Sequence, residues 1–567
     1  MYSKNFITVA ISTAFFWACF QPQTTCYAAD DLEAPFRAEL VDELEDLFPD
    51  SKISEPPAET FFIDAARGTT VAVHIFVKEI CSGQTMNFSI QREGKDVRGA
   101  RWFRLVDVPV EVNTGLETRT ELHDGKENPY VIRRAPFRVY EALEPVQSPV
   151  QLSQDVLALR VELPLAKNHE PGEHQYNIIL ESGDSKKELS LNVRVYAAVV
   201  PPAGRDTLHF TNWFSCGNMA KYHDVEPWSE AHWEIIRKYA RLMARERQNT
   251  FWIVWHDFFE KQPDGRWLLN REKLRRSVYI FLGEGIYYIE GGQLAGRHGG
   301  DWNAETFDLV LSHLPATSQE GNAALADMTR QIMEEIRANG WKNRWLQHIA
   351  DEPIDANAAD YRILCGMVRK YMPGIPLVEA TMNLKIAGAV DIWCPQVQEY
   401  QKHREAFDAF REQGDRIWVY TCLSPGGPWI NRLLDQERMR PMLIGWAAAL
   451  YDLDGFLHWG LNHYGADPFE KSVVPHHSGE PKPENSLPAG DTHIVYPGSG
   501  GPWSSLRFEA HRIGLEDREL LEQLKEKDSE QADKIMGRVI RGFDDYTKDP
   551  AVYRAAKKEL LEALGSS

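Results

Sequence analysis

Two adjacent carboxylates, Asp351 and Glu352, follow a short apolar run and precede Pro353. The run 345–350 has the composition of a buried parallel-sheet strand, and a proline cannot donate to a sheet ladder, so the strand is predicted to end at the two acids. Two carboxyl groups that are close together and partly buried cannot both ionise cheaply, so their pKa values are pushed apart. One group can then donate a proton while the other stays negative, as glycoside cleavage requires. The alternative is a pair of solvated acids at a helix N-terminus, where the helix dipole favours negative charge.

The elements that would position these acids begin after Pro201-Pro202, where strands and helices start to alternate. The eight predicted strands are residues 208–213, 250–256, 285–290, 345–350, 377–381, 391–394, 416–421 and 455–459. The predicted helices between them include residues 229–247, 323–339, 357–371, 402–413 and 436–451. Eight βα units predict a (β/α)8 TIM-like barrel, in which chemistry takes place at the carboxyl ends of the strands. Asp351 and Glu352 would end the fourth strand.

Further polar and aromatic side chains lie at or near the ends of the predicted strands, which meet on one face of a barrel. Such side chains offer stacking faces and hydroxyl-binding groups, the usual means of holding a sugar. Taken singly, each is better explained by core packing or by a strand cap; converging on one face, the set predicts a substrate-binding cleft. The predicted substrate-binding residues are Asn212, Trp213, Trp255, His256, Glu290, His348, Glu379, Tyr420, His458, Trp459 and Asn462.

The pairing of the acids favours one mechanism. Double displacement with an enzyme nucleophile needs a second carboxylate about 5 Å from the acid, and the seventh predicted strand, 416–421, carries none. Adjacent acids fit a substrate-assisted route, in which the acetamido oxygen of a 2-acetamido sugar attacks C1. Asp351 would orient the acetamido N–H, and Glu352 would protonate the leaving oxygen and later activate water.

Two alternatives stay open from the residues alone. One is a glycosidase for a sugar without an acetamido group, with Glu290 or Glu379 as the second carboxylate. The other is a non-catalytic carbohydrate-binding surface protein, against which the intact Asp351 and Glu352 argue.

The N-terminal 28 residues have the pattern of a secretory signal peptide: Lys4, an apolar run over 6–20 and a small-residue cleavage site after Ala28. The apolar run is too short for a transmembrane helix, and the sequence holds no other long apolar segment. The chain is therefore predicted to be exported, to the periplasm or the extracellular space. Cys19 follows a poor lipoprotein cleavage box, which makes a lipid anchor the less favoured alternative.

The remaining domain organisation follows from shifts in pattern. Residues 29–60 are acidic and predicted to be helical, ending in a Pro-Pro linker; residues 61–200 contain regularly spaced short strands, as in a β-sandwich domain. Residues 201–520 form the predicted catalytic barrel, and 521–567 a C-terminal helical tail packed on it. The predicted fold class is thus α/β plus all-β.

Composition limits the partners. The 567 residues are 43% hydrophobic and 26% charged, as in a soluble globular protein, and the net charge of -20 argues against nucleic acid or an anionic membrane surface. An oligosaccharide or glycoconjugate glycan is the predicted partner. The five cysteines after the signal peptide are scattered and predict neither a disulfide framework nor a zinc site, and His476-His477 is too small a cluster for a metal. No metal or cofactor is predicted.

The chain resembles glycoside hydrolase family 123 over most of residues 120–520. The blocks that carry the resemblance are Pro129-Tyr130-Val131-Ile132-Arg133-Arg134, His348-Ile349-Ala350-Asp351-Glu352-Pro353, Gly455-Phe456-Leu457-His458-Trp459-Gly460-Leu461-Asn462, Tyr496-Pro497-Gly498, Ser505-Leu506-Arg507-Phe508-Glu509 and Arg512-Ile513-Gly514-Leu515-Glu516-Asp517. The Asp-Glu-Pro and Trp-x-x-Asn blocks are specific when they occur together. The known activity of the family is that of an exo-acting N-acetyl-β-galactosaminidase, working by the substrate-assisted route.

The resemblance implies roles for individual residues. The acetamido-orienting aspartate of the family maps onto Asp351, and its general acid/base onto Glu352. Ala350 and His458 depart from the expected pattern. The arginines in the last two blocks, Arg507 and Arg512, are expected to be structural ion-pair partners of Glu509 and Asp517.

Overall fold

The computed structural model describes residues 36–80, 82–476 and 484–565. The predicted signal peptide and Cys19 therefore lie outside the described residues. A region of two β-sheets comes first, a parallel barrel follows, and helices close the chain.

The N-terminal region contains a five-stranded antiparallel sheet and a six-stranded sheet, as the spacing of short strands predicts. The first sheet has the order Arg37–Val41, Thr70–Lys78, Val156–Pro164, Arg101–Val110 and Phe137–Pro145. The second has the order Thr60–Arg67, Ser185–Val199, Gly172–Ser182, Thr85–Arg92 and Lys95–Asp96, with Val150–Gln151 paired to Thr85–Arg92. Alternate side chains, such as Tyr176, Ile178 and Leu180, point inward, and strands of both sheets contribute to one hydrophobic cluster.

The prediction of a helix over residues 29–60 is wrong for the part that the structure describes, where Arg37–Val41 is an edge strand of the first sheet. The acids that suggested a solvated helix face are buried and paired. Asp42 and Glu43 are 4% and 5% exposed; Asp42 binds Arg554 at 2.7 Å and Glu43 binds Arg160 at 2.9 Å. In the sequence, acids that form buried ion pairs thus have the same pattern as the polar face of an amphipathic helix.

The barrel is built from eight parallel strands. In chain order, barrel strands 1 to 8 are His209–Asn212, Thr250–Ile253, Tyr288–Gly291, Trp345–His348, Leu377–Ala380, Ile392–Cys394, Arg416–Thr421 and Gly455–His458. Neighbouring ladders run from strand 2 through strand 8 and back to strand 1. Side chains join strands 1 and 2: Asn249 accepts from Phe210 N at 2.9 Å, and Asn212 donates to Gln248 at 2.9 Å. All eight predicted strands are present, each shorter than or as long as predicted.

Helices cover the outside of the barrel and close the chain. Their bounds are Cys216–Tyr222, Glu230–Arg245, Arg271–Gly283, Gln319–Ala338, Ala358–Tyr371, Val397–Lys402, Arg404–Glu412, Met439–Leu450, Leu506–Lys527, Ser529–Val539 and Pro550–Gly565; Glu121–Asp124 is a single turn in the N-terminal region. The predicted helix 402–413 is divided near His403. The C-terminal helix packs against Leu506–Lys527 and also against the second sheet, so the tail contacts both regions.

A buried ion cluster joins the first sheet to the barrel. Arg160 is fully buried and lies 2.9 Å from Glu162, and Arg245 reaches the same Glu162 at 2.9 Å and also binds Glu509. Arg512 pairs with Glu509 at 2.9 Å, as expected. The charges of three segments distant in sequence therefore neutralise one another at the junction.

The expected ion pairing of Arg507 and Asp517 needs correction. Arg507 pairs with Glu141 of the first sheet at 2.6 Å, and Asp517 binds Lys557 of the C-terminal helix. Both partners lie in regions far away in the sequence, which residue spacing cannot reveal.

Candidate active site

Asp351 and Glu352 lie at the carboxyl end of barrel strand 4, three and four residues beyond its last residue, His348. The strand itself is buried, whereas both acids are partly exposed. Glu352 has a left-handed backbone with φ of 47°, unusual for a residue other than glycine. Arg297 donates a 2.5 Å hydrogen bond from Nη2 to the backbone oxygen of Glu352, which helps to hold this turn.

The electrostatics of the pair match the sequence argument. Burial raises the pKa of Asp351 to about 8, with further contributions from Glu352 and Glu379. Burial also raises the pKa of Glu352, against the hydrogen bond from Tyr420 and the charge of Arg297, which lower it. The pair therefore holds a proton at neutral pH, where two isolated carboxyl groups would hold none.

A buried histidine between two carboxyl groups lies directly below. His348 Nε2 is 2.7 Å from Glu290 Oε1, and its Nδ1 is 3.3 Å from Glu379 Oε1; all three side chains are fully buried. Burial alone would lower the pKa of His348, but the hydrogen bonds to both carboxyl groups raise it to about 10. The ring is therefore an imidazolium that donates from both nitrogens.

Glu379, on barrel strand 5, fixes the backbone that leads to Asp351 and Glu352. Its Oε2 accepts hydrogen bonds from the backbone N–H of Ile349 at 3.3 Å and of Ala350 at 3.1 Å. The hydroxyl of Tyr361 donates to the same oxygen at 2.8 Å. This carboxyl group thus positions the end of strand 4 without reaching the cleft itself.

An aromatic pair stands beside this network. Trp213 donates from its indole to Glu290 at 2.9 Å and stacks on Trp252, with ring centroids 4.2 Å apart. Both indoles meet the His348 ring edge-on, at 5.4 and 5.7 Å. Because Trp213 is buried and Trp252 is partly exposed, Trp252 is the member of the pair that a substrate can reach.

A second polar network supports Trp459 at the end of barrel strand 8. The indole of partly exposed Trp459 donates to buried Asp491 at 3.1 Å. Arg432 lies 2.6 Å from His458 Nδ1 and donates to Asn212 at 2.5 Å. Burial, aided by the charge of Arg432, keeps the pKa of His458 well below its usual value, so the ring is neutral and accepts from the guanidinium.

Two predicted substrate-binding residues are buried away from the cleft, and a third, His256, stays a prediction. Trp255 is 1% exposed, donates to the Gly292 carbonyl at 2.8 Å and packs in the core under the helices, so a position in the cleft is ruled out. His256 is exposed on a short 3-10 turn that replaces the end of the predicted strand. Asn462 is fully buried and bridges Ser215 N and O, at 2.8 and 3.1 Å.

Most of the predicted residues therefore act below the cleft surface. Those buried within the supporting networks are Asn212, Trp213, Glu290, His348, Glu379, Tyr420 and His458. Of the partly exposed groups, Arg297 contacts Glu352, and Trp459 and Trp252 pack against the cluster at the strand ends that contains Tyr420. The sequence prediction missed Trp252, which lies within a predicted strand, and Arg297, which ends the short strand Ala295–Arg297 that the sequence did not predict.

Within the described ranges, no group of three or more histidine, cysteine or acidic side chains is arranged to hold a metal ion. His477 lies outside these ranges, so the His476-His477 pair is not described in full. No helix among the described residues is long and apolar enough to cross a membrane. Four cysteines of the described chain, Cys216, Cys365, Cys394 and Cys422, are free and buried.

Comparison with known proteins decides the family. The model of the catalytic domain of glycoside hydrolase 123 matches residues 213–281 and 297–524, more than half of the chain. The chain belongs to glycoside hydrolase family 123. It is therefore a glycoside hydrolase, and its barrel carries the family's catalytic domain. No curated protein sequence matches the chain.

A solved structure of a family 123 enzyme shows the same fold, and other glycosidase structures align only weakly. A family 123 glycoside hydrolase from Clostridium perfringens, described in work on glycolipid glycan hydrolysis, aligns with a TM-score of 0.72 at 12% identity, over 93% of this chain and 98% of its own. A β-D-glucuronidase of Dictyoglomus thermophilum aligns with a TM-score of 0.33 at 10% identity, over 79% and 66% of the two chains. An endo-β-1,4-mannanase of Thermotoga petrophila gives 0.34 at 8% identity, over 56% and 77%.

Proposed function

We propose that this family 123 enzyme releases a β-linked 2-acetamido sugar from glycans by a retaining, substrate-assisted mechanism. The observation that supports this most directly is the state of the carboxyl groups. Asp351 and Glu352 are the partly exposed acids at the mouth of the barrel, whereas Glu290 and Glu379 are fully buried and bound to His348. An exposed pair that shares a proton suits an acid and a charged partner, and not a nucleophile facing the acid across the cleft.

The mechanism assigns one role to each acid. The acetamido oxygen attacks C1 while the bond from C1 to the leaving oxygen breaks, and Glu352 gives its proton to that oxygen. Asp351, as a carboxylate, accepts the acetamido N–H and stabilises the positive charge of the oxazolinium intermediate. Glu352 then takes a proton from water as that water attacks C1, which opens the ring and restores the original anomeric configuration.

The surrounding groups set the protonation that these roles need. An acetamido N–H bound to Asp351 favours its charged form, so the shared proton moves to Glu352. The imidazolium of His348 lowers the pKa of Asp351, which supports the same assignment, whereas the guanidinium of Arg297 lowers the pKa of both acids. Tyr420 donates to Glu352 and keeps its carboxyl group oriented.

The alternative with Glu290 or Glu379 as nucleophile is disfavoured by their positions. Each carboxyl group already accepts hydrogen bonds from neighbours: Glu290 from Thr211 and Trp213, at 2.7 and 2.9 Å, and Glu379 from Tyr361. To attack a sugar, either would have to leave a fully buried network and abandon a charged histidine, which is strongly unfavourable.

N-acetylgalactosamine is the proposed sugar, because the family resemblance implies it. A glycan or glycoconjugate is the proposed substrate class, in keeping with the glycolipid glycan named for the Clostridium perfringens relative. Export to the periplasm or extracellular space, on the signal-peptide pattern of residues 1–28, is part of the same proposal. We also propose that the two N-terminal sheets, which share one core, form a β-sandwich.

The test compares aryl β-glycosides that differ only at C2, with an acetamido or a hydroxyl group. The proposal predicts hydrolysis of the 2-acetamido substrate with kcat/KM at least about 10³-fold higher, because only that substrate carries the nucleophile. Equal rates on both substrates would contradict the mechanism. The gluco and galacto epimers of the 2-acetamido substrate then determine the sugar.

A further inference from the structure

Trp302 is an exposed aromatic residue at the rim of the barrel mouth. It lies in the loop that joins the paired strands Ala295–Arg297 and Phe307–Leu309, after barrel strand 3. Its side chain is 51% exposed, which places it among the most exposed large hydrophobic residues of the described chain. A single exposed indole is common on protein surfaces, so any role for Trp302 must be argued from its contacts.

Arg297 fixes this indole next to the catalytic acid. The guanidinium carbon of Arg297 lies 3.9 Å from the centroid of the Trp302 ring, in cation–π contact. The same guanidinium donates to the backbone oxygen of Glu352 at 2.5 Å. One face of the indole is therefore covered by Arg297. The same guanidinium links the indole to the backbone oxygen of Glu352, so the exposed part of the ring lies near this residue.

We propose that Trp302 is a stacking platform for the pyranose ring that leaves with the protonated oxygen, the first sugar on the aglycone side. The inference rests on the proposed function, since Glu352 as acid marks the side on which the leaving group lies. The 2-acetamido sugar sits inward, against the strand ends, so the next sugar emerges at the rim beside Glu352. An indole held by Arg297 presents an apolar face to the C–H groups of that ring and loses little conformational freedom on binding.

The platform predicts a preference for a sugar leaving group over a small one of similar basicity. The test measures kcat/KM on a disaccharide with a non-reducing β-linked 2-acetamido sugar and on the methyl β-glycoside of that sugar. Both leaving groups are alkoxides that need the proton of Glu352, and only the leaving group of the disaccharide contains a pyranose ring. Their ratio therefore isolates the contact from any effect on the acid.

Trp302→Ala is expected to lower the ratio of disaccharide to methyl glycoside about three- to tenfold, and Trp302→Phe to retain most of it. Phe62→Ala, which removes an aromatic side chain 72% exposed on the second sheet, is the matched control and should keep the wild-type ratio. An unchanged ratio in Trp302→Ala would overturn the inference, as would an equal loss on both substrates, which would mean that Trp302 acts through Arg297 and Glu352. If the wild type cleaved neither 2-acetamido substrate but cleaved 2-hydroxy glycosides, the proposed function itself would fail, and the inference with it.

Discussion

At the scale of single residues, the raised pKa of Asp351 makes the stability of the fold depend on pH. Asp351 carries a carboxyl group whose pKa burial raises to about 8. A group with a raised pKa in the folded state binds its proton more tightly than in the unfolded chain. Stability is therefore highest below the unfolded pKa near 4 and falls as pH rises from about 4 to about 8.

Because ionisation of Asp351 lowers the stability of the fold, replacing this acid by a neutral residue should be stabilising. Asp351→Asn removes the ionisable group, so the variant lacks the loss of stability that the wild type undergoes over this window. Its Tm should exceed that of the wild type by about 2 °C or more at pH 8, with a smaller difference at pH 5. Asp206→Asn, which changes an acid 93% exposed, should show no pH-dependent difference. A difference for Asp351→Asn that is the same at both pH values would contradict the raised pKa.

At the scale of elements, the sequence was sufficient to predict the eight barrel strands and the position of the acid pair. Short apolar runs bounded by breakers identify parallel strands, although strand 4 ends at His348, two residues earlier than predicted. The supporting networks could not be predicted in the same way. The contact of His348 with Glu290 and Glu379 depends on which strands become neighbours and on side-chain direction, and the sequence records neither.

Glu379, on barrel strand 5, positions the residues that follow strand 4, and its substitution tests this role. Glu379→Gln keeps an oxygen that can accept from Ile349 and Ala350 N–H, but it removes a negative charge that raises the pKa of Asp351. We expect kcat/KM to fall about tenfold or more, because the amide nitrogen of Gln would face His348 Nδ1, which now contacts Oε1 of Glu379, and the end of strand 4 would shift. The alkaline limb of its pH profile should also move to lower pH.

The matched control for this variant is Glu405→Gln, an exposed acid on the helix Arg404–Glu412. It should leave both the rate and the pH profile as in the wild type. If Glu379→Gln lowered the rate but did not move the alkaline limb of the pH profile, the role of Glu379 would be purely structural.

At the scale of the whole molecule, the sheets and the barrel are locked together by buried charge. Arg160, on the first sheet, is surrounded by Glu43, Glu162 and Glu509 at 2.9, 2.9 and 3.4 Å. These acids come from three separate parts of the chain. The erroneous helix prediction for the N-terminal segment has the same origin, because Glu43 is polar in sequence and buried in the fold.

Removal of the central cation should therefore destabilise the chain strongly. Arg160→Met removes the cation that three buried carboxyl groups share and leaves them only their pairs with other arginines, among them Arg245, Arg512 and Arg554. We expect about 3–5 kcal/mol less stability, seen as a lower denaturant midpoint. Arg205→Met, which removes an arginine 72% exposed and paired with Asp206, should change stability by about 0.5 kcal/mol or less. A shift for Arg160→Met as small as that of this control would show that the cluster contributes little.

In the proposed mechanism the two adjacent acids have different roles: Asp351 orients the acetamido nucleophile, and Glu352 protonates the leaving oxygen. The most direct test is the ratio of kcat/KM on a 2-acetamido disaccharide to that on an activated aryl 2-acetamido glycoside, measured for Asp351→Asn and Glu352→Gln. General acid help is worth about 10²–10⁴-fold, and an aryl leaving group needs little of it. Glu352→Gln should therefore lose far more on the disaccharide than on the aryl glycoside, whereas Asp351→Asn should lose similarly on both. The same leaving-group dependence in the two variants would contradict the assignment.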